Sequence, residues 1–207
     1  MHPFTRLSGT AAALLEENID TDIIFPARFL LITDRHGLGC YAFHDRRFDT
    51  QGKEIASFVM NQMPWRDAPI LITGANFGSG SSREQAVWAL LGQGIRCVVA
   101  ESFGEIFYGN CFRNGVLPIV LSLATIAALA TAAQSGQPFI IDLETQTIRV
   151  GDAPPLAFEI AAQHRLALLN GWDETGMILN ARGDAIAAFE DRHRRIQPWL
   201  FETEEPS

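Results

Sequence analysis

Cysteine is scarce in the 207-residue chain, which has Cys40, Cys97 and Cys111 and no others. An odd count at wide spacing makes neither a disulfide framework nor a CxxC metal pair. Positive charge is also short: 16 Lys and Arg stand against 24 Asp and Glu, for a formal net charge of −8. A nucleic-acid binder needs a basic face, so no nucleic acid is expected as a partner. Long apolar runs are missing as well. "LPIVLSLATIAALATAA" comes nearest, but Pro118, Ser122 and Thr125 break it into a buried strand and an Ala-rich helix, so no membrane span is expected. No secretory signal is read at the start, which makes a reducing cytoplasm the expected setting. Neither repeats nor low-complexity tracts occur, and no linker divides the chain. The expected organisation is one domain over 1–195, with a tail at 196–207 bearing an apolar knob.

What is present is a globular composition, 47% apolar, with a change of rhythm along its length. "FTRLSGTAAALL" reads as an opening strand or two. In the middle, apolar strands alternate with helices: "APILIT", "SREQAVWALLGQG", "IRCVVA", "SFGEIFYGNCFRNG", "LPIVL" and "SLATIAALATAAQSG". Such alternation predicts parallel strands covered by helices. "PFIIDLE", "TIRVG" and "LAFEI" follow as strands joined by tight turns, which predicts antiparallel pairing, and two helical stretches close the chain. The reading is an α/β fold with a mixed sheet, parallel in the middle and antiparallel toward the C-terminus.

The stretch "GANFGSGSSREQA", residues 74–86, holds the candidate chemistry. Capping accounts for one serine, because Ser82 with Gln85, or Ser81 with Glu84, makes a capping box. It leaves the second serine unexplained. It explains Arg83 even less, since a cation in the first turn opposes the helix dipole. An anion site accounts for all three: free N–H groups at the helix mouth, the dipole and Arg83 converge on a carboxylate or phosphate, and the glycines admit a close approach. Other Gly-rich motifs fail. There is no P-loop, no nucleophile elbow, and no third glycine of a dinucleotide fingerprint.

With these residues in view, "NFGSGSSREQAVWAL" resembles the signature of the small subunit of bacterial 3-isopropylmalate dehydratase and of the matching domain of aconitase. "NIDTDIIFPARFL", "SFGEIFYGNCFRNGVLP" and "GWDETGMILNARGDAIAAFE" resemble further segments of that subunit, in order, so the likeness spans about residues 5 to 195. The resemblance implies a swivelling β/β/α domain. It implies half of a heteromeric hydro-lyase of leucine biosynthesis, active with a large subunit that holds a [4Fe–4S] cluster, with no cluster in this chain. The implied reaction moves a hydroxyl between adjacent carbons of a small dicarboxylate by dehydration and rehydration.

The resemblance also implies residue roles. Ser81 is the base, acting as an alkoxide, and Ser82 and Arg83 hold substrate. Thr21 and Asp22 share the face, although Asp22 read by itself is equally a helix cap. Arg28 is a second carboxylate contact or a surface arginine. Leu31, with Leu30 and Ile32, meets the substrate side chain or belongs to the core. Ser79 replaces the usual Cys, Gln85 the usual His, and Val87 a common Pro. These departures point toward related substrates such as methyl- or aryl-malates. A non-catalytic dicarboxylate-binding module is the other class of function open to these residues, but such a module has no use for the base.

Overall fold

The structure, a computed structural model, describes residues 1–32 and 34–201; of the expected tail, 202–207 lie outside them. The chain opens with two four-residue strands, β1 (Arg6–Gly9) and β2 (Ala11–Leu14), that join different sheets. β2 lies at one edge of a parallel sheet, followed in space by β3 (Ile70–Thr73), β4 (Cys97–Ala100) and β5 (Leu117–Val120). In register, Ala11 faces Ile70, Ile70 faces Cys97 and Cys97 faces Leu117. β3 and β4 are buried along their whole length, as expected of parallel strands covered on both faces, which is why they read as unbroken apolar runs. Pro118 sits in β5, an edge strand, where a missing N–H is tolerated.

The period of two along β3 divides the core. Leu71 points into one cluster with Val98, Ile24, Phe25, Phe43 and Leu90. Ile70 and Ile72 point into another with Val99, Ile126, Phe139, Ile141 and Ile148. Burying one side chain of this size stabilises the fold by about 1.5–3 kcal/mol. The first cluster is covered by the short helix α1 (Thr21–Ile24), on which α2 (His44–Arg47) packs, together with α3 (Glu84–Gly92) and α4 (Glu105–Asn114). The second is covered by α5 (Leu123–Gln134) and by the other sheet.

That sheet is antiparallel, in the order β1, β6 (Phe139–Asp142), β7 (Thr147–Val150) and β8 (Leu156–Ala157). The expected α/β class holds, with parallel strands in the middle and antiparallel ones later. The single mixed sheet becomes two, because the chain leaves one sheet between Gly9 and Ala11 and β1 turns to pair with β6. The chain closes with α6 (Ala162–Asn170) and α7 (Glu174–Ile196). α7 buries no residue, and Ile178, Phe189 and Ile196 are exposed along it. Trp199 and Leu200, in the expected apolar knob, are exposed too.

Candidate active site

Beyond the ends of β2, β3 and β4, three loop segments continue side by side in the same order. Asn18 N donates to Ala75 O (2.9 Å), Gly78 N to Ile19 O (2.7 Å) and Thr21 N to Ser79 O (2.8 Å). On the other side, Phe77 N donates to Ser102 O (3.0 Å) and Gly104 N to Phe77 O (2.9 Å). The 74–80 loop is therefore laced into the carboxyl end of a parallel sheet, the usual place for ligands in open α/β sheets. Two asparagines fix its entry. Asn18 and Asn76 both adopt left-handed backbone (φ 57° and 58°), and Asn76 Nδ2 donates to Asn18 Oδ1 (2.8 Å). Asn76 N is held by Ser102 Oγ (2.8 Å). These three residues escaped the sequence reading; the signal for two of them was Asn in a loop, a residue that tolerates this conformation. Gly78 is obligatory on two counts: its φ is 71°, and a Cβ there would stand 2.2 Å from the Phe107 ring.

The loop delivers Ser81, Ser82 and Arg83 to the mouth of α3. The helix begins at Glu84 with Arg83 at the N-cap, and no side chain caps it. Neither expected capping box forms. Ser82 and Gln85 make no side-chain hydrogen bond among the described residues, and Ser81 is drawn sideways onto Thr21 instead. Ser81 N donates to Thr21 Oγ1 (3.2 Å), which lies 3.2 Å from Ser81 O and 3.3 Å from Ser81 Oγ. Thr21 itself is buried, whereas Ser81 and Ser82 are exposed. The first-turn N–H groups and the positive end of the dipole thus have no side-chain acceptor at a solvent-accessible spot beside two exposed hydroxyls.

Asp22 is not the cap of α1, because Asp20 is: its Oδ1 accepts from Ile23 N (2.8 Å). Asp22 is left to form an ion pair with Arg83, joining α1 to the mouth of α3. The pair uses one guanidinium nitrogen. Arg83's side chain is only 19% exposed, against 52% for Asp22, so the acid holds the guanidinium in place from the solvent side.

The other two residues expected at the site share no hydrogen bond or ion pair with this cluster among the described residues. Arg28 spends both terminal nitrogens on Asp45, with His44 Nδ1 also 3.1 Å from one of them. The Arg28 guanidinium holds the Asp45 carboxyl below the usual carboxylate range. Leu31 is 93% exposed, so it is no core residue, while Leu30 and Ile32 pack partly against the first cluster.

Among the described residues, no three His, Cys, Asp or Glu side chains gather as metal ligands. Burial pushes the Cys97 and Cys111 thiols up, away from the thiolate form that an iron–sulfur cluster requires, and Cys40 is exposed by itself.

The parallel sheet, its laced loop and the uncapped helix mouth lie within residues that match a family model. Residues 1–124, more than half the chain, match the family model of the aconitase C-terminal domain. Residues 181–203 match the family model of the C-terminal domain of the 3-isopropylmalate dehydratase small subunit. Curated relatives narrow the class further. A 3-isopropylmalate dehydratase small subunit from Rhodospirillum centenum is 49% identical over 97% of this chain and 100% of its own. One from Gluconacetobacter diazotrophicus is 50% identical over 96% and 97%. The solved 3-isopropylmalate dehydratase chain from Methanocaldococcus jannaschii superposes with a TM-score of 0.64 at 25% identity, covering 89% of this chain and 99% of that one. The chain belongs to the family of 3-isopropylmalate dehydratase small subunits.

Proposed function

We propose that the chain works as the small subunit of a hydro-lyase that interconverts 2-isopropylmalate and 3-isopropylmalate by dehydration and rehydration, in leucine biosynthesis. The observation that carries this reading is the helix mouth: two exposed serines, neither spent on capping, beside an arginine already oriented by Asp22, in a chain of this family. A large subunit is the partner. An iron–sulfur cluster, in this reading, belongs to that partner, since the donor set here does not fit one. The cytoplasm is the setting, where the free thiols of Cys40, Cys97 and Cys111 stay reduced.

Ser81 Oγ is the base that takes the proton from the carbon next to a substrate carboxylate. A serine is a poor base unless its anion is stabilised. The buried Thr21 hydroxyl has one proton and two acceptors in reach, Ser81 O and Ser81 Oγ. Turning that proton onto Oγ stabilises the alkoxide, while the helix dipole and Arg83 supply positive potential. Arg83 keeps one edge on Asp22 and offers its remaining donors to a carboxylate, with Ser82 beside it. Leu31 offers an exposed apolar surface to the isopropyl group. Arg28 serves as a second carboxylate contact by exchanging Asp45 for substrate.

Steady-state turnover of the chain reconstituted with its large subunit, on a panel of 2-substituted malates, tests the proposal. The highest kcat/KM is expected for the isopropyl compound. A clear preference for a methyl- or aryl-malate would reassign the substrate. No turnover with any of them, despite an intact cluster in the partner, would favour the binding-module reading.

A further inference from the structure

Arg35 stands four residues past Leu31, and its guanidinium carbon lies 4.0 Å from the centre of the Trp88 ring. No ion pair is formed by Arg35 among the described residues. Trp88 belongs to α3, one turn beyond Glu84. Its Nε1 donates to Asn114 Oδ1 (2.9 Å), and Asn114 Nδ2 donates to Glu84 Oε1 (2.7 Å) and Asn110 O (2.9 Å). The indole is gripped at its edge from α4, and its face meets the guanidinium, the arrangement in which a ring attracts a cation.

Glu84 directly follows Arg83. One helix therefore carries the Ser81–Arg83 mouth at its start and, one turn on, the platform that meets the segment bearing Leu31. Among the described residues of that segment, Leu30 and Ile32 also pack partly against the first cluster, and the hydrogen bonds are local. Ile32 N donates to Phe29 O (3.0 Å), and Asp34 Oδ1 accepts from His36 N (2.9 Å). The charged groups that share the surrounding cavities with Arg35 are Glu84, Arg113, Asp173 and Glu174, with His2, His36 and Arg96 further round. Glu84 is engaged by Asn114, Arg113 is paired with Glu174, and Asp173 caps α7. Among the described residues, Trp88 is the side chain that meets the Arg35 guanidinium.

We propose that Arg35 and Trp88 are a positioning pair, keyed by Asn114 and Glu84, that sets Leu31 relative to Ser81 and so sets how well the site discriminates among substrate side chains. The proposal rests on the reading that Leu31 meets that side chain. Neither residue is asked to touch substrate; both act through Leu31.

The test uses the chain reconstituted with its large subunit and two probes, 3-isopropylmalate and 2-methylmalate. Arg35→Gln and Trp88→Leu should each speed amide exchange across 30–37. Each should raise KM for 3-isopropylmalate by about threefold to tenfold, with a smaller change in kcat and in KM for 2-methylmalate. Arg35→Lys and Trp88→Phe, which keep a cation and a ring, should fall between these variants and the parent chain. The double variant should be no worse than the poorer single one, because the two share one interaction. Trp88 packs partly against the core, so if Trp88→Leu does not fold, the exposed Arg35→Gln decides. Unchanged exchange across 30–37, equal KM changes for both probes, or additive effects in the double variant would overturn the pairing. Leu31→Ala is measured alongside. A parental selectivity there overturns the reading of the segment as substrate-facing, and the proposal with it. A shifted selectivity there, with parental selectivity in the Arg35 and Trp88 variants, overturns the pairing alone.

Discussion

Helices α3 and α5 each have serine in the residues that lead into them, and the two beginnings are built differently. At α5, Ser122 does what a serine at a helix start ordinarily does. Its Oγ accepts from Thr125 N (3.4 Å) and lies 2.9 Å from Thr125 Oγ1, and the helix runs on from there. At α3 the two serines precede an arginine that occupies the cap position, and none of the three side chains bonds to the helix. α1 and α7 side with α5, capped by Asp20 and Asp173. A missing cap typically costs about 1 kcal/mol. At α3 that cost is accepted in a loop held by five backbone hydrogen bonds to its neighbours, so the lost stabilisation is not a sign of a weak fold. What the arrangement provides is first-turn donors with no side-chain acceptor, exposed hydroxyls and a restrained cation in one accessible place. The difference separates a serine that builds from a serine that is available.

The largest expected effect comes from the available one. Ser81→Ala in the reconstituted enzyme should lower kcat by a factor on the order of 10² to 10⁴, while unfolding free energy changes by no more than about 0.5 kcal/mol. Denaturant titration and turnover, run side by side, check both halves; a near-normal kcat would make Ser81 as structural as Ser122. Arg83→Lys comes next. Lys lacks the planar fork needed to keep Asp22 and a carboxylate together, so KM should rise by about tenfold, with a smaller fall in kcat. Unchanged kinetics would remove Arg83 from the site.

Ser122→Ala is the mirror experiment. It should cost about 1 kcal/mol of stability and leave kcat and KM alone. Loss of turnover without loss of stability would erase the distinction between the two helix starts. The smallest effect lies on α6, away from both. His164 stacks on Phe112, with ring centres 4.0 Å apart, and its Nδ1 is buried without a partner. Burial holds its pKa below the usual value. A depressed folded-state pKa contributes stability above the unfolded value of about 6.5, and that stability is lost as pH falls through the folded value. Thermal melts between pH 7 and 5 should therefore show a steeper decline for the parent chain than for His164→Phe, with KM unaltered. Parallel curves would mean that His164 is charged without penalty.

Much of this contrast is legible in the amino-acid order alone. The strands and helices of the middle follow from local periodicity, and Ser122 and Gly136 mark α5 at both ends as helix signals should. The serines and the odd arginine at 81–83 stand out because they fit capping badly. What escapes is non-local. Which strand joins which sheet depends on β1 meeting β6, with Arg6 opposite Asp142, and no local pattern encodes that. The cap of α1 falls on Asp20 and not Asp22, since the Thr21–Ser79 and Thr21–Ser81 bonds place the helix start earlier. The supports of the loop, Asn18 and Ser102, open segments that resemble the family, but they come from parts of the chain remote from the loop, and nothing local says that they meet it. Arg28 matches a motif, and both its terminal nitrogens bond Asp45, a partner 17 residues on that the motif does not mention.

Ser81 is, on this account, available for chemistry and does not serve mainly to hold substrate. Equilibrium binding of 3-isopropylmalate to the reconstituted Ser81→Ala enzyme, measured by calorimetry on the preparation used for turnover, tests this most directly. The account predicts a Kd within about threefold of the parent enzyme, beside a kcat reduced at least about a hundredfold. A Kd weakened in proportion to the loss of turnover would contradict it and make Ser81 a binding contact.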